Sequence, residues 1–565
     1  MDCAGIRTAG VWRLEDIYVS DRRIYGKGKR SLYFVCPVWN NRKSVDMPDT
    51  VGCGFPFGIL SAVYAVCCCG IFYQTGAWRQ MGGCNCSGTV RACLDCGICR
   101  EAGGNGIWIG IRYKAEMNDD LTTGNITIKL LRFAFPLMLG NVLQQLYNVV
   151  DTLIVGRFLG ADALAAVGAA YTLMTFLTSI LLGLCMGSSA YFAIQFGRKD
   201  FSRLNKGIFL SFIMIGSFTV VLNILVFVLM DWIIHILQVP VELQTLMKEY
   251  LMWIFAGITA TFLYNFFANL LRAVGNSVTP LLFLGVSVVL NILLDIVFVV
   301  VCHWGVRGAA VATVISQFVS GIGITIYYYF SFPLLRVKQQ HMKWDGGILK
   351  DIFNLSFLTC VQQSVMNFGI LMVQGLVNSF GTVVMAAFAA AVKIDTIAYM
   401  PVQDFGNAFS TFVAQNYGAG KNQRIKKGMK SSVICIFLFC IVISFLVCFF
   451  AKPLMGIFID LENAEVIQVG TDYLRIEAAF YFGIGLLFML YGYYRAIEKP
   501  GMSVVLTVCS LGTRVVLAYV LSGIPSIGVT GIWAAIPIGW FLADVVGISY
   551  YLMLEKKVRK ERMGR

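Results

Sequence analysis

The chain has 565 residues, of which 58% are hydrophobic and 13% are charged, and its mean hydropathy is +0.73. A soluble fold of this length could not cover so much apolar surface, so the composition indicates an integral membrane protein. The formal net charge of +14 does not indicate nucleic-acid binding, because the cations cluster in short loops between apolar runs, where they set the orientation in a bilayer. We therefore expect the lipid bilayer, and no nucleic acid, as a partner.

The first 116 residues differ from the rest of the chain, because they mix Arg and Lys with Gly, Trp and Cys and show no sustained helical period. Cys84-x-Cys86 and Cys93-x-x-Cys96-x-x-Cys99 could together bind zinc or an iron–sulfur cluster. Their spacings fit no standard framework, and the segment contains no histidine. A metal site is therefore not the favoured interpretation.

The stretch from Thr50 to Trp78 carries no charge and is long enough to cross a bilayer, although Gly, Pro and Cys67-Cys68-Cys69 interrupt it. An extra membrane helix or a signal anchor is one interpretation. We favour another, in which translation begins at Met117 and residues 1–116 are translated upstream sequence.

From Met117 onward, apolar runs recur at the length that a bilayer with an apolar core of about 30 Å requires. We count twelve, near residues 131–156, 164–190, 208–230, 251–271, 279–301, 308–332, 352–380, 383–413, 432–451, 473–494, 502–522 and 528–553. The predicted fold class is an all-α membrane protein with twelve transmembrane helices.

Positive charge is concentrated in alternate connections and in the tail. The cations that define this pattern are Arg198, Lys199, Arg203, Lys206, Arg336, Lys338, Lys343, Lys350, Lys421, Arg424, Lys426, Lys427, Lys430, Arg495, Lys499, Lys556, Lys557 and Lys560. The positive-inside rule places these segments in the cytoplasm. We expect a multi-pass protein of the cell (plasma) membrane, with both ends of the twelve-helix body cytoplasmic.

The two halves of the body repeat each other. Arg272-Ala273 corresponds to Arg495-Ala496, and Gly305-Val306-x-Gly308 corresponds to Gly528-Val529-x-Gly531, both at an offset of 223 residues. Six crossings per half imply a pseudo-twofold axis along the membrane normal and a cavity between the halves. The predicted domains are a six-helix lobe at 117–332, a cytoplasmic linker at 333–350, a six-helix lobe at 351–554 and a basic cytoplasmic tail at 555–565.

Polar side chains inside apolar runs are costly and usually face a cavity, a partner or an ion. Run one carries a stripe at helical spacing, after a proline (Pro136) that should bend the helix or end its regular bonding. The stripe consists of Asn141, Gln144, Gln145, Asn148 and Asp151, and later runs of the first half add Asn265, Asn269, Asn291, Asp295, Thr313, Ser316 and Gln317. The second half has Arg514 and Ala518 where the first has Asn291 and Asp295, so the polar cluster is not a product of the repeat alone.

Two carboxylates with amide and hydroxyl oxygens suit a monovalent cation, because hard cations prefer oxygen ligands. The same carboxylates could instead bind and release protons. The alternative role for these polar groups is structural, through hydrogen bonds between helices.

In the second half, Asp395 could form a structural pair with Lys393 or bind substrate. Met372, Tyr399 and Met400 could pack in the helix bundle or line the cavity as an adaptable surface for apolar cations. The predicted substrate cleft comprises Gln144, Asn148, Gln363, Asn367, Met372, Asp395, Tyr399 and Met400.

Three motifs occur in a specific order across the predicted helices: Gln144-Gln-Leu-Tyr-Asn-Val-Val-Asp-Thr152, Leu271-Arg-Ala-Val-Gly-Asn276 and Gln415-Asn-Tyr-Gly-Ala-Gly420. With them, nearly all of 117–554 resembles the multidrug and toxic compound extrusion family. The resemblance implies two six-helix lobes, a cleft that opens alternately to either side, and export of cationic drugs in exchange for Na⁺ or H⁺. It also implies a cation site in the first lobe, at Asp151, Asn265, Asn291, Asp295 and Thr313.

One departure from the family concerns run seven, where one branch carries a glutamate and this chain has Gln362, Gln363 and Asn367. Coupling through a carboxylate of the second lobe is therefore not expected.

We expect a monomeric secondary-active exporter of organic cations that is not an enzyme and has no cofactor beyond Na⁺ or H⁺. The alternative is a flippase for lipid-linked precursors, which should line its cleft with Arg and Lys for phosphate. In the predicted helices Arg514 is almost alone at depth, which disfavours that alternative.

Overall fold

The computed structural model describes residues 120–236, 239–460 and 462–563. The expectations for residues 1–116, namely the cysteine cluster, the extra membrane helix and the upstream sequence, lie outside the described residues.

The described chain is built from α-helices. They are α1 (Ile126–Leu159), α2 (Ala161–Arg198), α3 (Phe201–Ile236), α4 (Val241–Ala256), α5 (Ile258–Ala273), α6 (Val278–Asp295), α7 (Gly305–Ser331), α8 (Gly346–Asn378), α9 (Thr382–Gly418), α10 (Asn422–Met455), α11 (Ala464–Ala478), α12 (Tyr481–Ala496), α13 (Pro500–Ser522) and α14 (Val529–Met563). A π-helix, Ile296–Val301, continues α6, and two 3₁₀ turns, Pro333–Leu335 and Gln339–His341, lie between α7 and α8.

Ten helical segments of the described chain are long and apolar enough to cross a membrane, and two bent pairs bring the total to twelve. The bent pairs are α4 with α5, at 46°, and α11 with α12, at 53°. The predicted all-α fold with twelve crossings is confirmed. The boundaries of runs four and ten were wrong, because their helices begin at Val241 and Ala464, about ten residues earlier, and are interrupted after Ala256 and Ala478.

The backbone repeats as the sequence does. Gly160 and Gly381, which precede α2 and α9, have φ values of 91° and 94°, a left-handed region in which a side chain is strained. Gly305, the first residue of α7, and Gly528, which precedes α14, also have positive φ values, of 64° and 53°. The two halves therefore turn at corresponding points.

The repeat breaks down after Asp295. In the first half the chain passes from α6 into the π-helix, whereas α13 remains α-helical to Ser522 in the second half. Sequence gave no indication of this difference. Pro136 does not end the first helix, because α1 is continuous from Ile126 to Leu159.

The outer and the central helices of the bundle differ in the share of their residues that is buried. In the most apolar stretch of α3 and of α10, 22% and 17% of the residues are buried, compared with 44% in α9. Side chains such as Val228 and Phe449 are exposed on these outer helices. Lipid covers such surfaces at no polar cost, because every backbone group is satisfied within the helix.

The halves meet closely at one end, which we call the basic end and define by Lys199, Lys421 and Lys499. A Cβ atom at Gly197 of α2 would lie 2.0 Å from the carbonyl oxygen of Gln415, and one at Gly418 would lie 2.0 Å from that of Ile194. The helices α2 and α9 can approach this closely only because both positions lack a side chain. An ion pair of 3.8 Å between Arg198 and Glu498 adds to this contact.

Candidate functional site

A cavity of about 720 Å³ lies between the two halves and is lined by helices of both. The whole polar stripe of α1 faces it, comprising Asn141, Gln144, Gln145, Asn148 and Asp151. Seven of the eight residues predicted for the substrate cleft line it: Gln144, Asn148, Gln363, Asn367, Asp395, Tyr399 and Met400. The eighth, Met372, is 39% exposed and is not among the lining residues.

Hydrogen bonds in the first lobe connect the cavity to Asp295. Tyr147 Oη lies 3.1 Å from Thr313 Oγ1. In the amide orientation that satisfies its neighbours, Asn291 accepts a hydrogen bond from Thr313 Oγ1 at 3.2 Å and donates one to Asp295 Oδ2 at 2.9 Å. Asn291, Thr313 and Asp295 are buried, and Asp295 is completely inaccessible.

Asp151 of α1 and Asn265 of α5 are the other two residues predicted for the cation site. Both line the cavity, and Asp151 lies within electrostatic range of Asp295. Oδ1 of Asp151 and Oδ1 of Asp295 are buried without a hydrogen-bond partner. Asn265 donates a hydrogen bond of 2.8 Å to the carbonyl oxygen of Thr261.

The chemistry of this group follows from its donors. Carboxylate, amide and hydroxyl oxygens are the ligands of a hard monovalent cation, and the same carboxylates can carry protons. The π-helix begins directly after Asp295, and such segments often mark functional sites in membrane helices. Four of the five residues predicted for the cation site, Asp151, Asn265, Asn291 and Thr313, line the cavity, and the fifth, Asp295, accepts a hydrogen bond from Asn291. Tyr147, which sequence analysis missed, also lines the cavity and contacts Thr313.

A second buried polar cluster lies in the other lobe. Asp395 Oδ1 accepts a hydrogen bond of 2.7 Å from Tyr481, and Oδ2 accepts one of 3.5 Å from Tyr473. The side chain of Asp395 also contacts Glu477, which forms an ion pair of 4.0 Å with Arg514. The proposed pairing with Lys393 was therefore wrong, because the contacts of Asp395 are with α11 and α12.

Glu477 is the main residue that sequence analysis missed. It is 1% exposed and faces the cavity. An acid inside an apolar run is a signal for function, and Glu477 lies inside run ten. Because run ten was predicted to begin near residue 473, Glu477 lay close to the start of the predicted helix.

The end of the cavity nearest the basic end carries further charge. Asn141 of α1 donates a hydrogen bond of 2.5 Å to Asp404 of α9, which links the two lobes. Arg272 and Arg495 also line the cavity, and Arg495 donates to Asn407 Oδ1 at 3.1 Å. The prediction that Arg514 is almost alone at depth was therefore wrong, because helices α5 and α12 carry their terminal arginines into the cavity wall.

The sequence matches the MatE family model over residues 136–297 and 356–520. The chain belongs to the MatE family. A relative in Bacillus subtilis strain 168, the probable multidrug resistance protein YpnP, is 30% identical over 435 residues, which cover 76% of this chain and 96% of that protein. The probable multidrug resistance protein NorM of Thermotoga maritima is 25% identical over 426 residues, covering 74% and 89%.

Solved structures of MatE proteins share the fold. A crystal structure of MATE in complex with MaL6 matches with a TM-score of 0.74 at 23% identity, covering 78% of this chain and 99% of that one. An outward-facing conformation of a multidrug resistance MATE family transporter matches with a TM-score of 0.73 at 23% identity, covering 77% and 97%. The chain is thus a multi-pass membrane protein of a transporter family.

Proposed function

We propose that this MatE protein is a secondary-active exporter of cationic and amphipathic drugs, driven by exchange for Na⁺ or H⁺. The observation that carries the proposal is the buried oxygen-rich group around Asp295 beside a cavity shared by two lobes. Relatives named as multidrug resistance proteins support the substrate class.

In the proposed cycle, the coupling cation binds among Asp151, Asn265, Asn291, Asp295 and Thr313 and favours one orientation of the lobes. A drug in the cavity favours the other orientation, so each ligand is released on its own side. We propose that the basic end faces the cytoplasm and that the protein acts as a monomer in the plasma membrane.

Lipid-linked precursors fit the cavity less well. Two of the arginines that line it have side-chain partners in the described structure, since Arg514 pairs with Glu477 and Arg495 donates to Asn407. Arg272 lies within electrostatic range of Asp404. A phosphate group would have to displace these partners, whereas an organic cation would meet carboxylates and aromatic side chains.

The test is efflux of ethidium from cells that make the full chain, compared with cells that make Asp295→Asn. We expect the mutant to lose at least tenfold in efflux rate, because a carboxylate of the coupling site becomes neutral. Asp231→Asn is the matched control, since Asp231 is exposed and pairs with Lys248 at the surface. Efflux by Asp295→Asn at the wild-type rate would remove Asp295 from the mechanism.

A further inference from the structure

Arg495 places a buried positive charge in the wall of the cavity. It lies in the last turn of α12, lines the cavity and is 5% exposed. Its Nη2 donates a hydrogen bond of 3.1 Å to Asn407 Oδ1, and its Nε donates one of 3.4 Å to Ser410 Oγ. Both partners are neutral, so they satisfy donors of the guanidinium group without balancing its charge. A buried charge without a counter-charge is costly.

The other two arginines that line the cavity, Arg272 and Arg514, each have an acidic side chain nearby. Among the described residues, no carboxylate forms an ion pair with Arg495 or lies within electrostatic range of it. The acid nearest to it in sequence, Glu498, pairs with Arg198 instead. The cavity wall therefore carries one positive charge that the described part of the chain does not balance.

The guanidinium group of Arg495 keeps donors for a ligand. It has five N–H donors in a planar fork, and only the two bonds to Asn407 and Ser410 use them within the described residues. Both partners lie on α9, about one turn apart, so they hold the fork in one orientation. A fixed fork suits a carboxylate, which accepts two parallel hydrogen bonds and supplies one negative charge. A phosphate monoester, with about two negative charges, would exceed the charge available here.

Aromatic side chains line the cavity on the same side as Arg495. Phe488 lies seven residues before Arg495 on α12, so the two share a helix face at a separation of about 10 Å along the axis. The ring of Phe488 lies 6.1 Å from that of Tyr399 on α9, and both residues line the cavity. Aromatic rings attract organic cations. This wall thus offers a contact for an anionic group and a contact for a cationic aromatic group.

We propose that Arg495, held in place by Asn407 and Ser410, binds the carboxylate of a zwitterionic substrate whose cationic aromatic part lies against Phe488 and Tyr399. The inference rests on the proposed function and deepens it, because it adds compounds with both an acidic and a cationic group to the substrates. Arg495 is a substrate contact and takes no part in binding the coupling ion.

The test compares two dyes that differ in one methyl group: tetramethylrhodamine, a zwitterion with a free carboxylate, and its methyl ester, a cation. Fluorescence anisotropy with the purified full chain near neutral pH gives the Kd of each dye. We expect Arg495→Gln to bind the acid about tenfold more weakly than the wild type, because a charge-assisted bond is lost. Its affinity for the ester should change little. Lys499→Gln is the matched control, because Lys499 is an exposed cation at the same end of the molecule, and it should bind both dyes as the wild type does.

A second variant, Asn407→Asp, checks the same contact without removing Arg495. It places a carboxylate beside the guanidinium group, so the positive charge is balanced from within. We expect the affinity for the acid to fall about tenfold, as in Arg495→Gln, and the affinity for the ester to stay the same or to rise. This variant keeps the test decisive if Arg495→Gln does not fold.

The rival explanation is that Arg495 only joins α12 to α9. In that case the substitutions would weaken the binding of both dyes equally, and this result would overturn the subsite. Wild-type affinity for the acid in both variants, or no binding of the acid by the wild type, would also overturn it. Export of the ester by cells reports on the proposed function separately. If the ester is not exported, the proposed function fails, whereas the affinities for the acid still decide the subsite.

Discussion

The hydrogen bonds of the first lobe run in a single direction towards Asp295. Tyr147 can donate to Thr313, Thr313 donates to Asn291, and Asn291 donates to Asp295. This order of donors sets the orientation of the Asn291 amide group. Oδ1 of Asp295 has no hydrogen-bond donor. The proposed cation site thus keeps one carboxylate oxygen of Asp295 available.

Tyr147→Phe tests that order. Without the phenol, the hydroxyl of Thr313 loses a partner worth about 1 kcal/mol, so the half-saturating concentration of the coupling cation should rise about fivefold. The maximal rate should change little, because the carboxylates remain. The measurement is drug export as a function of cation concentration, with the exposed Tyr519→Phe as control. An unchanged half-saturating concentration would show that the chain of bonds does not position the site.

At the residue scale, sequence analysis identified the polar and charged side chains inside apolar runs and missed residue types that are common in membrane helices. Asp151, Asn291 and Asp295 could be found because a polar side chain in an apolar run costs free energy unless it has a partner or a function. Tyr147 could not, since a tyrosine is common in membrane helices. Glu477 was missed because run ten was predicted to begin near residue 473, whereas its helix begins at Ala464.

At the scale of elements, the closest contact between the lobes at the basic end is that of α2 with α9. Positions 197 and 418 are occupied by glycine, and each faces a backbone carbonyl of the other helix. The sequence showed these glycines as part of a repeat, but only the packing shows that they touch. The offset of 223 residues predicted the matched halves, whereas the π-helix after Asp295 depends on packing that the repeat does not share.

Gly197→Ala should keep the basic end from closing fully. Its Cβ atom would lie 2.0 Å from the carbonyl oxygen of Gln415, so the helices must separate. We expect drug export per molecule to fall severalfold. Gly375→Ala is the matched control, because nothing lies within 4 Å of a Cβ atom there. Equal export by both variants would mean that this contact is not part of the cycle.

At the scale of the whole molecule, residues 121–124, which precede α1, link the first lobe to the second through hydrogen bonds. Arg424 donates to the carbonyl oxygens of Leu121, Thr123 and Gly124, and Lys421 donates to that of Thr122 at 2.9 Å. The side chain of Leu121 is buried in the core. These contacts join the two lobes at the basic end.

Arg424→Ala should weaken this link between the lobes, because it removes the hydrogen bonds that the guanidinium group donates. Charge-assisted hydrogen bonds of this kind contribute about 1–3 kcal/mol, and the group is partly exposed, so we expect the lower part of that range. The melting temperature of the purified protein should fall by a few degrees, whereas Lys427→Ala, an exposed neighbour on the same helix, should leave it nearly unchanged. Equal melting temperatures for both variants would contradict this link.

The central claim is that the buried group at Asp295 couples an ion gradient to drug movement. The most direct measurement is ethidium transport by the purified protein in liposomes, with a sodium gradient or a proton gradient imposed separately. The wild type and Asp231→Asn should transport in response to at least one gradient, and Asp295→Asn should respond to neither. Gradient-driven transport by Asp295→Asn at the wild-type rate would contradict the account.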